Sequence, residues 1–167
     1  WNKEEQSQFI IHSKNTAGSF EPAKGQITIY KLKEPERLLR KRLWAKSDKY
    51  VMGKQDYVNV FPHDVYSNED EISKWEKGSQ VLNAAFDTQK DSVVKLNSTG
   101  WLQGKYVVEL SAKDKNNEDV KYVRYITVFS PKEKQPALNS IDWFTTLKDK
   151  AEPGEKTQFL IGTVDKN

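Results

Sequence analysis

The sequence predicts an all-β fold, an antiparallel β-sandwich, and three observations lead there. Short runs of alternating apolar and polar residues recur along the chain, and turn-forming residues fall between them. Aromatic residues are abundant, with Trp 5, Tyr 7 and Phe 7 among 167 residues. Alternation turns one side of a strand to a core, and aromatic and β-branched side chains suit a half-buried pleated surface. Many short strands with turn punctuation point to two packed sheets.

Taken in order, residues 8–12 are a short apolar run with polar ends, and residues 26–32 alternate, with Thr28, Tyr30 and Leu32 on one face. Residues 81–86 are a weaker strand. In residues 105–112, Tyr106, Val108, Leu110 and Ala112 point one way, and Glu109 and Ser111 the other. Residues 120–129 are apolar on both faces, and residues 140–147 and 156–164 give two further strands. Asp114-Lys115-Asn116-Asn117-Glu118-Asp119 joins two strong strands and reads as a hairpin loop. Glu152-Pro153-Gly154-Glu155 reads as a type II turn: Pro presets φ at its second position, and Gly accepts the positive φ needed at its third. The expected core includes Ile27, Ile29, Tyr106, Val108, Leu110, Ile126 and Val128, with Trp101 near the start of the hairpin.

Residues 34–78 break this pattern and predict a long, partly helical connection. Leu38, Leu39 and Leu43 are spaced for a helical turn or two within residues 34–44. Asn68 could cap a second short helix over residues 68–75, with Glu71 three residues on. Residues 130–137 carry two Pro and only one apolar residue outside them, Ala137, as a linker does. The division expected is therefore a sandwich domain over residues 1–133, a linker over 134–139, and further strands over 140–167.

Composition narrows the chemistry. With Cys 0, the chain has no disulfide, thiolate nucleophile or Cys-based zinc site. Lys+Arg 27 against Asp+Glu 24 gives a net charge of +3, too mild to argue for nucleic acid. No apolar run approaches the roughly 20 residues that span a bilayer. The chain begins at Trp1 without an initiator Met, and we expect an internal or processed piece whose targeting signal lies outside it.

No constellation of residues points to an enzyme, and no cofactor is expected. His12 ends a strand and His63 sits in a Pro62-His63-Asp64 turn, neither with metal-ligand spacing around it. No Ser stands in a G-x-S-x-G context. The acidic loop from Asp114 fails as an EF-hand, because Asp119 stands where Gly is needed and Tyr125 where a bidentate Glu is needed. Asn97-Ser98-Thr99 matches a glycosylation acceptor, a pattern common by chance. The basic run of Lys31, Lys33, Arg37, Arg40, Lys41, Arg42 and Lys46 is interleaved with Leu38, Leu39, Leu43 and Trp44. Arginine stems covering an apolar face explain it simply, and a protein interface at Arg37, Arg40, Lys41, Arg42 and Trp44 is the functional alternative.

Several segments together carry a resemblance. Thr16-Ala17-Gly18-Ser19-Phe20-Glu21-Pro22-Ala23-Lys24-Gly25 precedes Ile27-Thr28-Ile29-Tyr30-Lys31-Leu32-Lys33-Glu34-Pro35-Glu36-Arg37-Leu38-Leu39-Arg40-Lys41-Arg42-Leu43-Trp44. Phe61-Pro62-His63-Asp64-Val65-Tyr66, Trp75-Glu76-Lys77-Gly78, Phe86-Asp87-Thr88 and Gly100-Trp101-Leu102-Gln103-Gly104-Lys105-Tyr106 follow. Over residues 8–164 this resembles a macroglobulin (MG) domain of the large bacterial alpha-2-macroglobulin-like proteins. The resemblance implies an immunoglobulin/fibronectin III-like sandwich, one bead of a string exported to the periplasm or cell surface. Its partners are then neighbouring domains of the same polypeptide, and proteases through the full-length parent, which traps them. The family's reactive thioester needs a Cys-x-Glu-Gln context, so it cannot reside here. Residues 140–167 then look like the first strands of a following domain. The alternative is a carbohydrate-binding or adhesion sandwich, in which Trp44, Trp75 and Trp101 would line an exposed face as sugar platforms.

Overall fold

A computed structural model describes residues 1–5, 7–43, 45, 48–114, 116–148 and 150–164. The strands are β1 (Ser7–Ile10), β2 (Lys24–Leu32), β3 (Lys77–Asp87), β4 (Val93–Leu96), β5 (Gly104–Lys113), β6 (Asp119–Val128), β7 (Trp143–Lys148) and β8 (Gln158–Gly162). Helix α1 (Lys54–Val60) and a 3-10 turn (Ile72–Lys74) lie between β2 and β3. The fold is all-β, and every strand pairing is antiparallel. The chain forms two compact units, Trp1–Leu32 with Lys77–Ser130, and Lys33–Glu76 with Pro131–Asn167.

The first unit has the layering of a sandwich. A four-stranded sheet in the order β3-β2-β5-β6 and a two-stranded sheet β1-β4 share one core. Phe9 and Leu96 come from the small sheet, and Ile27, Ile29, Phe86, Tyr106, Val108, Ile126 and Val128 from the large one. Ile27, Ile29, Tyr106, Val108 and Val128 are fully buried, and each such side chain contributes about 1.5–3 kcal/mol by leaving water. The expected core is thus observed, with Leu110 partly buried against it. Residues 81–86 belong to a longer strand, β3, which holds two extra residues opposite β2, where the register shifts at Ile29/Tyr30 and Tyr30/Leu32. Strand β4 has no counterpart among the expected strands.

Two glycines are needed where they stand. A Cβ on Gly25 would lie 2.0 Å from the Ser111 carbonyl oxygen, so only glycine lets β2 approach β5 here. Gly104 has φ 133, and it turns the chain into β5 so that the Tyr106 hydroxyl donates to the Leu102 carbonyl at 2.7 Å. The Tyr106 ring stacks on Trp101 with centroids 5.2 Å apart. The β5–β6 loop is the expected hairpin loop, held by Asp114 Oδ1, which accepts from the N–H groups of Asn116 and Glu118 at 2.8 Å each. Asn117 takes φ 66, as Asn tolerates, and Lys115 lies outside the described residues. The loop carboxylate is therefore occupied by the backbone.

In the second unit, Lys33 N–H donates to the Glu76 carbonyl at 2.9 Å, and Lys33 Nζ stands 2.9 Å from Glu76 Oε2, closing the base of the 33–76 segment. Leu39 makes a parallel bridge to Ser140, and the Asn139 amide donates to the carbonyls of Pro35 and Glu36 at 3.2 and 3.1 Å. Residues 33–76, expected inside the first domain, thus pack with the residues after 131. Strands β7 and β8 form a hairpin whose Glu152–Glu155 turn closes as expected, with Gly154 at φ 91. Its outer face carries exposed Phe144, Phe159 and Ile161.

The helical expectations need correction. Residues 34–43 form no helix. Arg40 and Arg42 both reach the same neighbouring segment, which an extended strand-like path allows at two-residue spacing and a helix does not. Helix occurs instead at Lys54–Val60, and the N-cap of the 3-10 turn is Glu71 rather than Asn68, with no side-chain cap hydrogen bond.

Candidate functional site

The basic run of the 33–76 segment grips its own neighbours first. Arg37 donates to the Pro62 carbonyl at 2.9 Å and to the Asp64 carbonyl at 3.3 Å, and lies 3.7 Å from Glu69 Oε1. Arg40 Nε bonds the Asp64 carboxylate, and Arg42 Nη2 bonds the Val65 carbonyl. The Asp64 bond and charge hold the Arg40 guanidinium above its ordinary value. His63 Nδ1 sits 2.9 Å from the Leu38 carbonyl, and Arg40 N–H donates to the His63 carbonyl at 2.9 Å. Together these contacts zip residues 37–42 to residues 62–65. Asp64 and Val65 are buried by this pairing, which satisfies carbonyls that would otherwise lack donors.

Of the five residues singled out in the sequence, Arg37 and Arg40 therefore serve the local fold, and Lys41 is exposed. Arg42 is shared between its backbone bond and a cleft. Trp44 lies outside the described residues, as does Lys46. Glu69 is half-buried, between Arg37 and Lys54. Its Oε2 accepts from Ser67 N–H at 2.6 Å, while Oε1 has no hydrogen bond but stands 3.3 Å from Lys54 Nζ.

Two adjoining clefts open on this segment. One, of about 100 Å³, is lined by Arg40, Lys41, Arg42, Leu43, Tyr57, Asp64 and Val65. The other, of about 200 Å³, has an aromatic wall formed by Tyr50, Tyr57, Phe61 and Tyr66, with Arg42 and Lys49 at its rim. Tyr50 stacks on Tyr66 at 4.5 Å, Tyr57 meets Tyr66 at 5.3 Å and Phe61 at 5.1 Å. Tyr66 is fixed by its hydroxyl, which donates to the Met52 carbonyl at 2.9 Å. Helix α1 sets Tyr57 just ahead of Phe61 at a spacing of one helical turn, so both rings meet. Exposed Leu43, Tyr50, Val51 and Phe61 make the apolar surface of the clefts.

Chemically, this is an apolar, aromatic surface with a cationic rim. Among the described residues the larger cleft has no carboxylate in its lining, and in the smaller one Asp64 is engaged by Arg40. Such a surface fits an apolar side chain flanked by negative charge. The aromatic wall went unread in the sequence, although Tyr57 and Phe61 four residues apart, between Tyr50 and Tyr66, were a usable signal. Among the described residues, no three His, Asp or Glu side chains cluster so as to hold a metal ion. Comparison of the chain with protein-family models, with curated proteins and with solved structures returns no match.

Proposed function

We propose that this chain is a non-catalytic structural and interaction module of macroglobulin type, belonging to a large exported alpha-2-macroglobulin-like protein and contributing to protease trapping. The observation that carries this reading is the strand arrangement of the first unit. A β1-β4 pair over a β3-β2-β5-β6 sheet, with a parallel bridge from Asn2 to Phe129, follows the order of immunoglobulin and fibronectin III-like sandwiches. The Tyr106 hydroxyl, bonded to the backbone four residues upstream near the start of β5, supports the reading, because a tyrosine corner of such folds is bonded in this way. The β7–β8 hairpin, with its exposed Phe144, Phe159 and Ile161, is in keeping with the opening strands of a following domain.

In this reading the aromatic clefts with Lys41, Arg42 and Lys49 are the contact surface for another polypeptide. The exposed aliphatic Leu43 and Val51 beside the rings suit protein side chains better than sugars. The carbohydrate reading is weakened by its own expected platform: Trp101 is buried on Tyr106, and Trp75 is half-buried with Nε1 donating to the Glu69 carbonyl at 2.8 Å. The test has two arms. The parent polypeptide, incubated with an endoprotease, is expected to hold it in a complex that survives gel filtration, and the purified chain to turn over no peptide or glycan. Turnover by the purified chain that a single substitution abolishes overturns the proposal, as does a parent that leaves every endoprotease free.

A further inference from the structure

Strand β6 is an edge of the four-stranded sheet, and its outer edge carries no strand partner among the described residues from Asp119 to Ile126. The direction of its backbone groups follows from its far end. Phe129 N–H donates to the Trp1 carbonyl and its C=O accepts from Lys3 N–H, each at 2.9 Å, and the Thr127 carbonyl accepts from the Trp1 amino group. The β5–β6 register is regular along the whole strand, so outward groups alternate back from there to Tyr125, Val123 and Lys121. These are unused donors and acceptors along a straight edge. Apolar side chains are exposed on both faces of the same strand: Val120 50%, Tyr122 55%, Val123 49% and Tyr125 37%. An open edge with exposed apolar side chains on both faces can serve as a template for another strand.

We infer that this edge pairs with β6 of a second copy of the chain, antiparallel about a two-fold axis at Val123. The charges of the strand choose that register. Centred on Val123, the pairing sets Lys121 opposite the second copy's Tyr125 and Tyr122 opposite its Arg124, and it ends with Val120 opposite its Ile126, short of Thr127, whose outward carbonyl is taken by the Trp1 amino group. Each cation thus faces a tyrosine ring across the strands, twice over by symmetry. Centring on Lys121 or Arg124 would set like charges against each other, and centring on Tyr122 leaves both cations opposite valines. Backbone polarity agrees, because the residues with outward groups on one strand meet those on the other. Such a pairing joins two four-stranded sheets into one continuous sheet. It is small, so it is weak and forms at high protein concentration.

The test is light scattering of the whole chain across concentration, with two variants. Wild type is expected to move from monomer to dimer. Val123→Pro removes only an outward N–H, which an edge strand tolerates, and is expected to stay monomeric with an unchanged circular dichroism spectrum. Arg124→Ala, which leaves the backbone edge intact, is expected to weaken the dimer about tenfold, two symmetric cation–π contacts being lost at once. The chain has Cys 0, so a nitroxide on Val123→Cys reports a single position, and dipolar broadening there places the axis. A wild type that stays monomeric at millimolar concentration overturns the inference. So does a dimer unaffected by Val123→Pro, or one without broadening at Val123→Cys.

Discussion

Removing the Tyr106 hydroxyl separates two roles of one side chain. Tyr106 is fully buried, its hydroxyl donates to Leu102 at 2.7 Å, its ring stacks on Trp101 at 5.2 Å, and Lys31 Nζ lies 5.9 Å from the ring centroid. Tyr106→Phe keeps the ring and loses the hydrogen bond, worth about 0.5–1.5 kcal/mol net. Leu102 is 69% exposed, so water can take the place of the lost donor and little further penalty is expected. The expected cost is about 1 kcal/mol, or about 4–8 °C in the midpoint of a unit this size. Tyr106→Ala also empties the ring's place and breaks the stack on Trp101, at about 4–5 kcal/mol. Urea unfolding followed by the ¹⁹F signal of fluorinated Trp101 reads the first unit alone. Equal costs for the two variants would refute the division between ring and hydroxyl. A cost near zero for Tyr106→Phe would mean the hydroxyl does not fix the start of β5.

Three further outcomes are expected. Gly25→Ala, whose Cβ would meet the Ser111 carbonyl at 2.0 Å, should lower stability by about 3 kcal/mol in a thermal melt, while Gly100→Ala, with nothing within 4 Å, should be nearly neutral. Arg37→Ala should cost about 1–2 kcal/mol by stripping donors from the Pro62 and Asp64 carbonyls, seen as faster amide exchange at residues 63–66 with β5 unaffected. Burial pushes the Glu69 carboxyl up, but the N–H groups of Ser67 and Glu69 and the Lys54 ammonium outweigh it and hold the group below its ordinary value. The folded chain then binds fewer protons than the unfolded one. The resulting stability is present above the ordinary Glu pKa of about 4.3 and is lost as pH falls through the lower folded value. Glu69→Gln should flatten the acid side of the stability profile below about pH 4.5, and a profile unchanged there would contradict that assignment.

The strands were legible where alternation ran long enough. Residues 105–112 and 120–129 carry regular faces, and they became β5 and β6 in register. Strand β4 was hidden because Val93-Val94-Lys95-Leu96 is only four residues long with a single polar residue, too short for alternation to stand out, and it gains its identity by pairing with β1. The leucines at 38, 39 and 43 imitate a helical stripe, while the pairing of Arg40 and Arg42 with Asp64 and Val65 decides for an extended path. That pairing is long-range, and no local propensity reports it. The candidate site split the same way. The cations could be picked out by their density, but which of them face a cleft depends on where the aromatic rings come to rest, and those rings are brought together by tertiary contacts of Tyr66 with Tyr50 and Tyr57.

The segment inserted between β2 and β3 also bears on the order in which the sheet assembles. Strands β5 and β6 are joined by a short, self-bonded loop, and a hairpin of that kind forms in about 1–10 μs. Strand β2 can meet β3 only by closing residues 33–76, which costs about 2 kcal/mol more in chain entropy than a tight turn. The β5–β6 hairpin is therefore the expected seed, and β2 and β3 add to it across longer loops, with β3 held more loosely because of its two extra residues opposite β2. The base closed by Lys33 and Glu76 lies at the end of the β2–β3 pairing where the register shifts. A sheet built this way breathes from its β3 side, so hydrogen exchange in the native state should spread inward from β3, with the hairpin that seeds folding the slowest to exchange.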